Sequence, residues 1–371
     1  MYAAPVGATP VATASLAEAV TSVVFHDLPV GAYLIVAAGD KTTYTTLVAE
    51  TYDGDETYMT AEDVTVVAKA SGYFLDKVVN DEFVYTGQVL NFTVNTTFPN
   101  FDTISEDSTF IVTDTPTNLN IDVETVKAYI AGVKLTGGYT ASVGTDGVLT
   151  VNFSQLINNN ANAGKSVTIE YQAMVTGTTK EEEAFKNIVV STRNDKILGT
   201  DSTKGYTGDI EVTKTDDTEE RNELSGAAYE LYEVTASENS ETESGKILVS
   251  FVKLGKGEYR RATGEDSDVV TTLETEDLAT LKVTGLDEGT YWFKEVKAPA
   301  GYSINEDGVT VEVEANTTEH VSETATLMDT KLIELPSTGG VGTTIFTVGG
   351  CAVMIGAAFL FFVNRRKEES K

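Results

Sequence analysis

Six polar residues stand where strand alternation calls for apolar ones. In a strand, residues two apart share a face. Leu75 and Val79 put Lys77 on an apolar face, Phe110 and Val112 do so for Asp114, and Phe185 and Val189 for Asn187. Further on, Ile210 and Val212 carry Lys214, Tyr291 and Phe293 carry Glu295, and Ala325 and Leu327 carry Asp329. A core position leaves each polar group a costly choice between a partner and an unmade hydrogen bond. A lone buried polar residue is usually just hydrogen-bonded, but two sets of lysine, acid and amide or carboxyl imply a shared purpose. Burial lowers a lysine's pKa and frees a nucleophilic amine; it raises a carboxyl's pKa and makes a proton donor for a carbonyl. The competing reading is a salt-bridged triad without chemistry, and the cost of desolvating its charges weighs against it.

The elements that must position these residues read as short strands. Alternating runs rich in Thr, Val, Tyr and Phe occur at 89–94, 148–153, 167–175, 247–251 and 309–313, separated by Asp-Gly, Gly-Gly and Asn clusters. That is the pattern of antiparallel sandwiches. Ahead of residue 335, helix is expected only at 15–21, 154–160 and 273–281. Lys77, Asp114 and Asn187 fall on the first, a middle and the last strand of one unit, residues 71–206. Lys214, Glu295 and Asp329 fall on the first, penultimate and last strands of another, residues 207–334.

Composition excludes several functions. The formal net charge is −31, from 57 acidic against 26 basic residues, which argues against nucleic acid and for a solvated, self-repelling exterior. The single cysteine, Cys351, lies inside an apolar run, so the rest of the chain has no disulfide. His26 and His320 are too few for a hydrolase triad with a spare, and no His/Cys cluster has metal-ligand spacing. No phosphate-binding glycine loop occurs. No metal, cofactor or turnover activity is expected.

Residues 341–363 run 23 residues without a charge. As a helix they measure about 34 Å, against roughly 30 Å of bilayer hydrocarbon. Arg365, Arg366 and Lys367 follow, which keeps that end cytoplasmic and everything N-terminal outside. At the outer edge stands Leu335-Pro336-Ser337-Thr338-Gly339. This order of pentapeptide, apolar helix and basic tail resembles the cell-wall sorting signal of Gram-positive surface proteins. The resemblance implies a sortase substrate, processed by a class C sortase, a housekeeping sortase or both. The cut falls between Thr338 and Gly339, and the Thr338 carbonyl passes to an amine.

The stretch Tyr291-Trp-Phe-Lys-Glu295-Val-Lys-Ala298-Pro299-Ala-Gly301-Tyr302 resembles the E-box of pilin and collagen-adhesin B-type domains. Residues 212–216 resemble their first strand, and 87–94 and 111–115 resemble the A-type domain that precedes it in pilin shafts. Residues 25–36 resemble the late part of a first pilin domain. The implied fold is all-β: tandem Ig-like, collagen-adhesin-type β-sandwich domains followed by a single C-terminal transmembrane helix. The expected domains are 1–70, a partial pilin-like β domain; 71–206, an A-type sandwich; 207–334, a B-type sandwich; and 335–371, the sorting signal. Residues 1–70 show no basic n-region and no apolar signal core, so a truncated start is expected.

In that family a buried lysine amine joins an Asn or Asp side chain as an intramolecular isopeptide, helped by a neighbouring acid. Carried over, Lys214 is nucleophile, Asp329 electrophile and Glu295 assisting acid. In the middle domain these roles go to Lys77, Asn187 and Asp114, with Asn194 as the rival to Asn187. The family often has Asn where Asp329 stands, so water rather than ammonia would leave there. Each bond would close a loop of more than 100 residues, worth about 4–5 kcal/mol in the chain-entropy model for disulfides.

The expected function is a structural subunit of a cell-surface pilus, extracellular and anchored in the wall, with a membrane-anchored precursor. Its partners would be sortase, other pilin subunits, peptidoglycan and a host-surface ligand that the sequence does not name. Shaft pilins present the acceptor lysine in a Y-P-K motif, absent here from residues 64–72, which leaves Lys69 as the candidate polymerisation lysine. The alternative is a wall-anchored monomeric adhesin, which needs the Thr338 linkage but no acceptor lysine.

Overall fold

The computed structural model describes residues 9–14, 22–37, 42–44, 47–53, 60–61, 63–68, 70–101, 103–177, 183–235, 245–333 and 342–368. The first part holds β1 (Ala32–Ile35), β2 (Thr42–Tyr44), β3 (Leu47–Glu50), β4 (Tyr52–Asp53), β5 (Thr60–Ala61) and β6 (Ala70–Gly72). They pair as β1–β3, β2–β6 and β4–β5.

A sandwich follows, built from β7 (Leu75–Val79), β8 (Val89–Thr97), β9 (Phe110–Thr117), β10 (Leu119–Ile130), β11 (Val133–Lys134), β12 (Thr140–Val143), β13 (Leu149–Asn152), β14 (Ser166–Val175), β15 (Phe185–Arg193) and β16 (Lys196–Gly205). One sheet runs β11-β10-β14-β8-β7 and the other β12-β13-β9-β15-β16. The period-two alternation explains why: Phe92, Val94, Phe110, Val112, Ile169, Tyr171, Phe185 and Val189 all point into one core.

The second sandwich comprises β17 (Gly208–Asp216), β18 (Ala228–Val234), β19 (Lys246–Leu248), β20 (Phe251–Gly255), β21 (Glu258–Arg261), β22 (Val269–Val270), β23 (Thr272–Glu274), β24 (Thr280–Leu286), β25 (Gly289–Lys297), β26 (Val309–Val313) and β27 (Val321–Asp329). Its sheets run β22-β20-β21-β24-β17-β27 and β19-β18-β25-β26, with β23 against β18. First and last strands lie side by side: β17 and β27 pair in parallel over nine residues.

The two sandwiches meet closely. Phe83, between β7 and β8, packs into the second core beside Tyr206. Thr86 N–H donates to Gly285 O at 3.0 Å, and the Arg261 guanidinium stacks 4.0 Å from the Tyr85 ring centre. Gly285 has φ +76°, and a Cβ there would sit 2.2 Å from Thr86 Oγ1, so only glycine admits this approach.

The all-β expectation holds, and two of the expected helices resolve differently. Residues 154–160 make two 3-10 turns, Ser154–Leu156 and Asn158–Asn160. Residues 273–281 are not helical: β23 pairs with β18, β24 with β17, and Glu276 turns the chain between them at φ +55°. Strand pairing on both sides overrides local helix propensity there. The expected helix at 15–21 lies outside the described residues. At the C-terminus α1 (Gly342–Glu368) contains Ile345–Val363, of mean hydropathy 2.2, long and apolar enough to cross a membrane. Leu335, Pro336, Ser337, Thr338, Gly339 and Lys69 lie outside the described residues.

Candidate functional site

All six core-face polar residues are buried. Lys77 is 5 % exposed, Asp114 2 %, Asn187 0 %, Lys214 0 %, Glu295 3 % and Asp329 1 %. They gather in two clusters, one in each sandwich.

In the second sandwich the β17–β27 register sets Lys214 beside Leu327 and Asp216 beside Asp329, so Lys214 and Asp329 are diagonal neighbours on the inner face. Lys214 Nζ donates to Asp329 Oδ1 and lies 2.8 Å from Glu295 Oε1. Glu295 comes from β25 in the facing sheet, with Tyr291 and Phe293 filling the core ahead of it. Its Oε2 accepts the Asn305 N–H at 2.7 Å, which fastens the loop after the E-box strand. That loop in turn holds the chain leaving β27, through Ser303 N–H to Thr330 O at 3.1 Å and Leu332 N–H to Gly301 O at 2.9 Å. Burial pushes the Glu295 carboxyl up, with the Asp329 charge adding to it against the lowering effect of Lys214 and the Asn305 N–H. Tyr229, opposite Glu295 on β18, brings a buried hydroxyl without a hydrogen-bond partner, and Asp329 Oδ2 is likewise unpartnered.

The first sandwich builds its cluster across the two sheets. Lys77 on β7 and Tyr171 on β14 come from one sheet; Asp114 on β9 and Asn187 on β15 come from the other. Asn187 pairs in register with Pro116 and Val189 with Asp114, so the acid and the amide are diagonal neighbours. Lys77 Nζ donates to Asp114 Oδ2 and, at 2.6 Å, to Tyr171 Oη. Tyr171 donates to Asp114 Oδ2 at 2.5 Å and accepts from Asn187 Nδ2 at 2.8 Å. Burial pushes the Lys77 amine down and the Asp114 carboxyl up, each against the pull of the other's charge. Asp114 Oδ1 and Asn187 Oδ1 have no hydrogen-bond partner.

The strand positions need correcting. Asn187 is on the penultimate strand of its sandwich, because the chain turns at Asn194 and Asp195, both at positive φ, and adds β16. Glu295 is on the third strand from the end, because β26 intervenes before β27. Asn194 is exposed in that turn, and its Oδ1 accepts the Thr109 N–H at 2.8 Å. It sits far from the core face that carries Asn187. Tyr171 was not singled out from the sequence; its place between Ile169 and Ala173 on an apolar face reads as ordinary core.

Elsewhere, His320 lies 3.2 Å from Asp209, which also pairs with Lys282 at 2.7 Å and accepts a hydrogen bond from the Ser322 side chain. Among the described residues no group of His, Cys, Asp and Glu could hold a metal ion.

Comparison with known proteins agrees with this architecture. Residues 208–326 match the SpaA family, a prealbumin-like fold domain, and residues 328–370 match the LPXTG cell wall anchor motif. The chain is 25 % identical over 346 residues to the fimbrial subunit type 2 of Actinomyces naeslundii, spanning 83 % of this chain and 63 % of that one. It is 26 % identical over 176 residues to the fimbrial subunit type 1 of Actinomyces viscosus, spanning 44 % of this chain and 33 % of that one. The chain thus covers less than two thirds of either relative. Among solved structures, the major pilin SpaA of Corynebacterium diphtheriae superposes with TM-score 0.50 at 15 % identity, covering 83 % of this chain and 82 % of that one. The T6 backbone pilin of Streptococcus pyogenes also gives 0.50, at 20 % identity, covering 78 % of this chain and 63 % of that one. Residues 208–326 and 328–370 thus carry a SpaA-type prealbumin-like domain and an LPXTG cell wall anchor, and over most of its length the chain is similar to a fimbrial subunit.

Proposed function

We propose that this chain is a structural subunit of a surface pilus, joined through Thr338 to another subunit or to the wall and braced by two internal isopeptides. The observation that carries the reading is the Lys214–Asp329–Glu295 cluster between the first and last strands of the sandwich next to the anchor. Tension arriving from the anchored end enters β27. A Lys214–Asp329 amide would pass it straight to β17, beside the joint with the preceding sandwich. The Corynebacterium pilin of like fold is described as a modular pilus assembly with stabilizing isopeptide bonds.

The chemistry follows from burial. Lys214 gives a proton to the carboxylates beside it and its amine attacks Asp329 Cγ, while Glu295 as acid donates to the carbonyl oxygen; one Asp329 C–O bond breaks and that oxygen leaves as water. In the first sandwich Lys77 attacks Asn187, ammonia leaves, and Asp114 is the acid; once protonated, it supplies the donor that Asn187 Oδ1 lacks. A charged, unlinked triad would instead carry a heavy desolvation cost at each site. The protein performs these steps once on itself and turns over no substrate. Sortase would cut between Thr338 and Gly339 and pass the Thr338 carbonyl to Lys69 or to a wall amine.

Cell-wall extracts boiled in detergent test the assembly. A pilus subunit gives a ladder of high-mass species that Thr338→Ala abolishes. A single wall-linked species without a ladder would overturn the pilus reading in favour of a monomeric adhesin.

A further inference from the structure

The geometry points to Tyr171 as a catalytic residue of the Lys77–Asn187 linkage, carrying the proton from the attacking amine to the departing amide nitrogen. This rests on the isopeptide reading above and adds a fourth group to it. A phenol oxygen has one proton to give and two lone pairs, and in Tyr171 all three are in use. Lys77 Nζ donates to it at 2.6 Å and Asn187 Nδ2 at 2.8 Å, and it donates to Asp114 Oδ2 at 2.5 Å. The nucleophile, the leaving group and the acid therefore converge on one oxygen.

The reaction needs such a bridge. When Nζ bonds to Asn187 Cγ, the nitrogen becomes positively charged and must lose a proton. When the Cγ–Nδ2 bond breaks, Nδ2 must gain one to leave as ammonia. The Tyr171 oxygen touches both nitrogens: its hydroxyl turns from Asp114 to give its proton to Nδ2 and takes one from Nζ, so it ends as it began. Asp114 sets the phenol's orientation through Oδ2 and, protonated on its unpartnered Oδ1, is the donor for the carbonyl oxygen. Burial holds the phenol proton on Tyr171 well above the ordinary tyrosine range, so it enters the reaction protonated.

The second sandwich supplies the contrast within the same chain. There the acid Glu295 lies 2.8 Å from the amine itself, and the Tyr229 hydroxyl has no hydrogen-bond partner. In both sandwiches the acid touches the amine, but only in the first does a phenol oxygen touch it as well.

The test uses the full chain with Tyr171→Phe, which keeps the ring stacked on Phe92 at 5.3 Å between centroids while removing the hydroxyl. After digestion, cross-linked peptides are followed by mass against time from synthesis. The wild type yields both the Lys77–Asn187 and the Lys214–Asp329 peptides. Tyr171→Phe is expected to form the first roughly 100-fold more slowly and the second at the wild-type rate. Equal rates of the first cross-link in both chains would overturn the role of Tyr171. A wild-type chain without that cross-link would overturn the isopeptide itself, a distinct outcome. If Tyr171→Phe loses its fold, as near-ultraviolet circular dichroism would show, fluorotyrosine incorporation replaces it. A more acidic phenol of nearly unchanged shape should alter the first cross-linking rate several-fold and leave the second unchanged; no change in the first overturns the proposal.

Discussion

Glu295→Gln separates the covalent bond from the contacts around it. The amide keeps the shape of the side chain and an oxygen for the Asn305 N–H, now 2.7 Å from Glu295 Oε2, but offers no titratable acid. Lys214 and Asp329 stay in place on their parallel strands, 115 residues apart in sequence. Unlinked, that loop is free to open in the unfolded chain. The chain-entropy model assigns its closure about 5 kcal/mol at 25 °C. For a sandwich of this size that corresponds to a fall of roughly 15–30 °C in melting temperature. Calorimetry of the full chain, with peptide masses read in parallel, measures both quantities. Lys214→Ala should fall further, because it strands the Asp329 and Glu295 carboxyls in the core without their cation. A Glu295→Gln chain that lacks the cross-link yet melts with the wild type would refute the reasoning, as would one that forms the cross-link at the normal rate.

Three further outcomes are expected. Fragment mapping should place the first cross-link on Asn187, and a linked peptide containing Asn194 without Asn187 would reassign it. Lys69→Arg should abolish high-mass ladders while monomer still reaches the wall, since a guanidinium stays protonated and is no nucleophile; undiminished ladders would mean that another lysine accepts. Asp287 at the joint is pushed up to about 6, chiefly by burial and then by the charges of Asp81 and Glu288, with Arg261 opposing. Its folded pKa lies above the unfolded one, so its contribution is fully present below about pH 4 and is lost as pH rises through about 6. Asp287→Asn should flatten that slope in melting curves, and an unchanged slope would exclude Asp287 as its source.

Much of the site was legible because strand parity is a strong signal. Lys77, Asp114, Asn187, Lys214, Glu295 and Asp329 each follow two apolar residues or lie between them at alternate positions, and all six side chains are buried. Parity says which face a residue takes, but not which strand stands opposite. So the sequence reading placed Asn187 on the last strand, although the Asn194-Asp195 turn signal for one more hairpin was present. Residues 273–281 show the limit from the other side. Leu273 and Leu281 are core residues of two different strands, and their helix-like spacing carried no structural meaning. Tyr171 was invisible for a related reason. A tyrosine on an apolar strand face looks like core, and the groups its hydroxyl meets come from β7, β9 and β15, brought together only by the closed sandwich. Phe83 likewise reads as part of the first unit but packs in the core of the second.

The central claim is that both lysines end as amides, and the intact mass of the folded full chain tests it most directly. The account predicts a chain lighter than its sequence by one water and one ammonia, the water restored by Glu295→Ala and the ammonia by Lys77→Ala. A wild-type chain at its full sequence mass would contradict it.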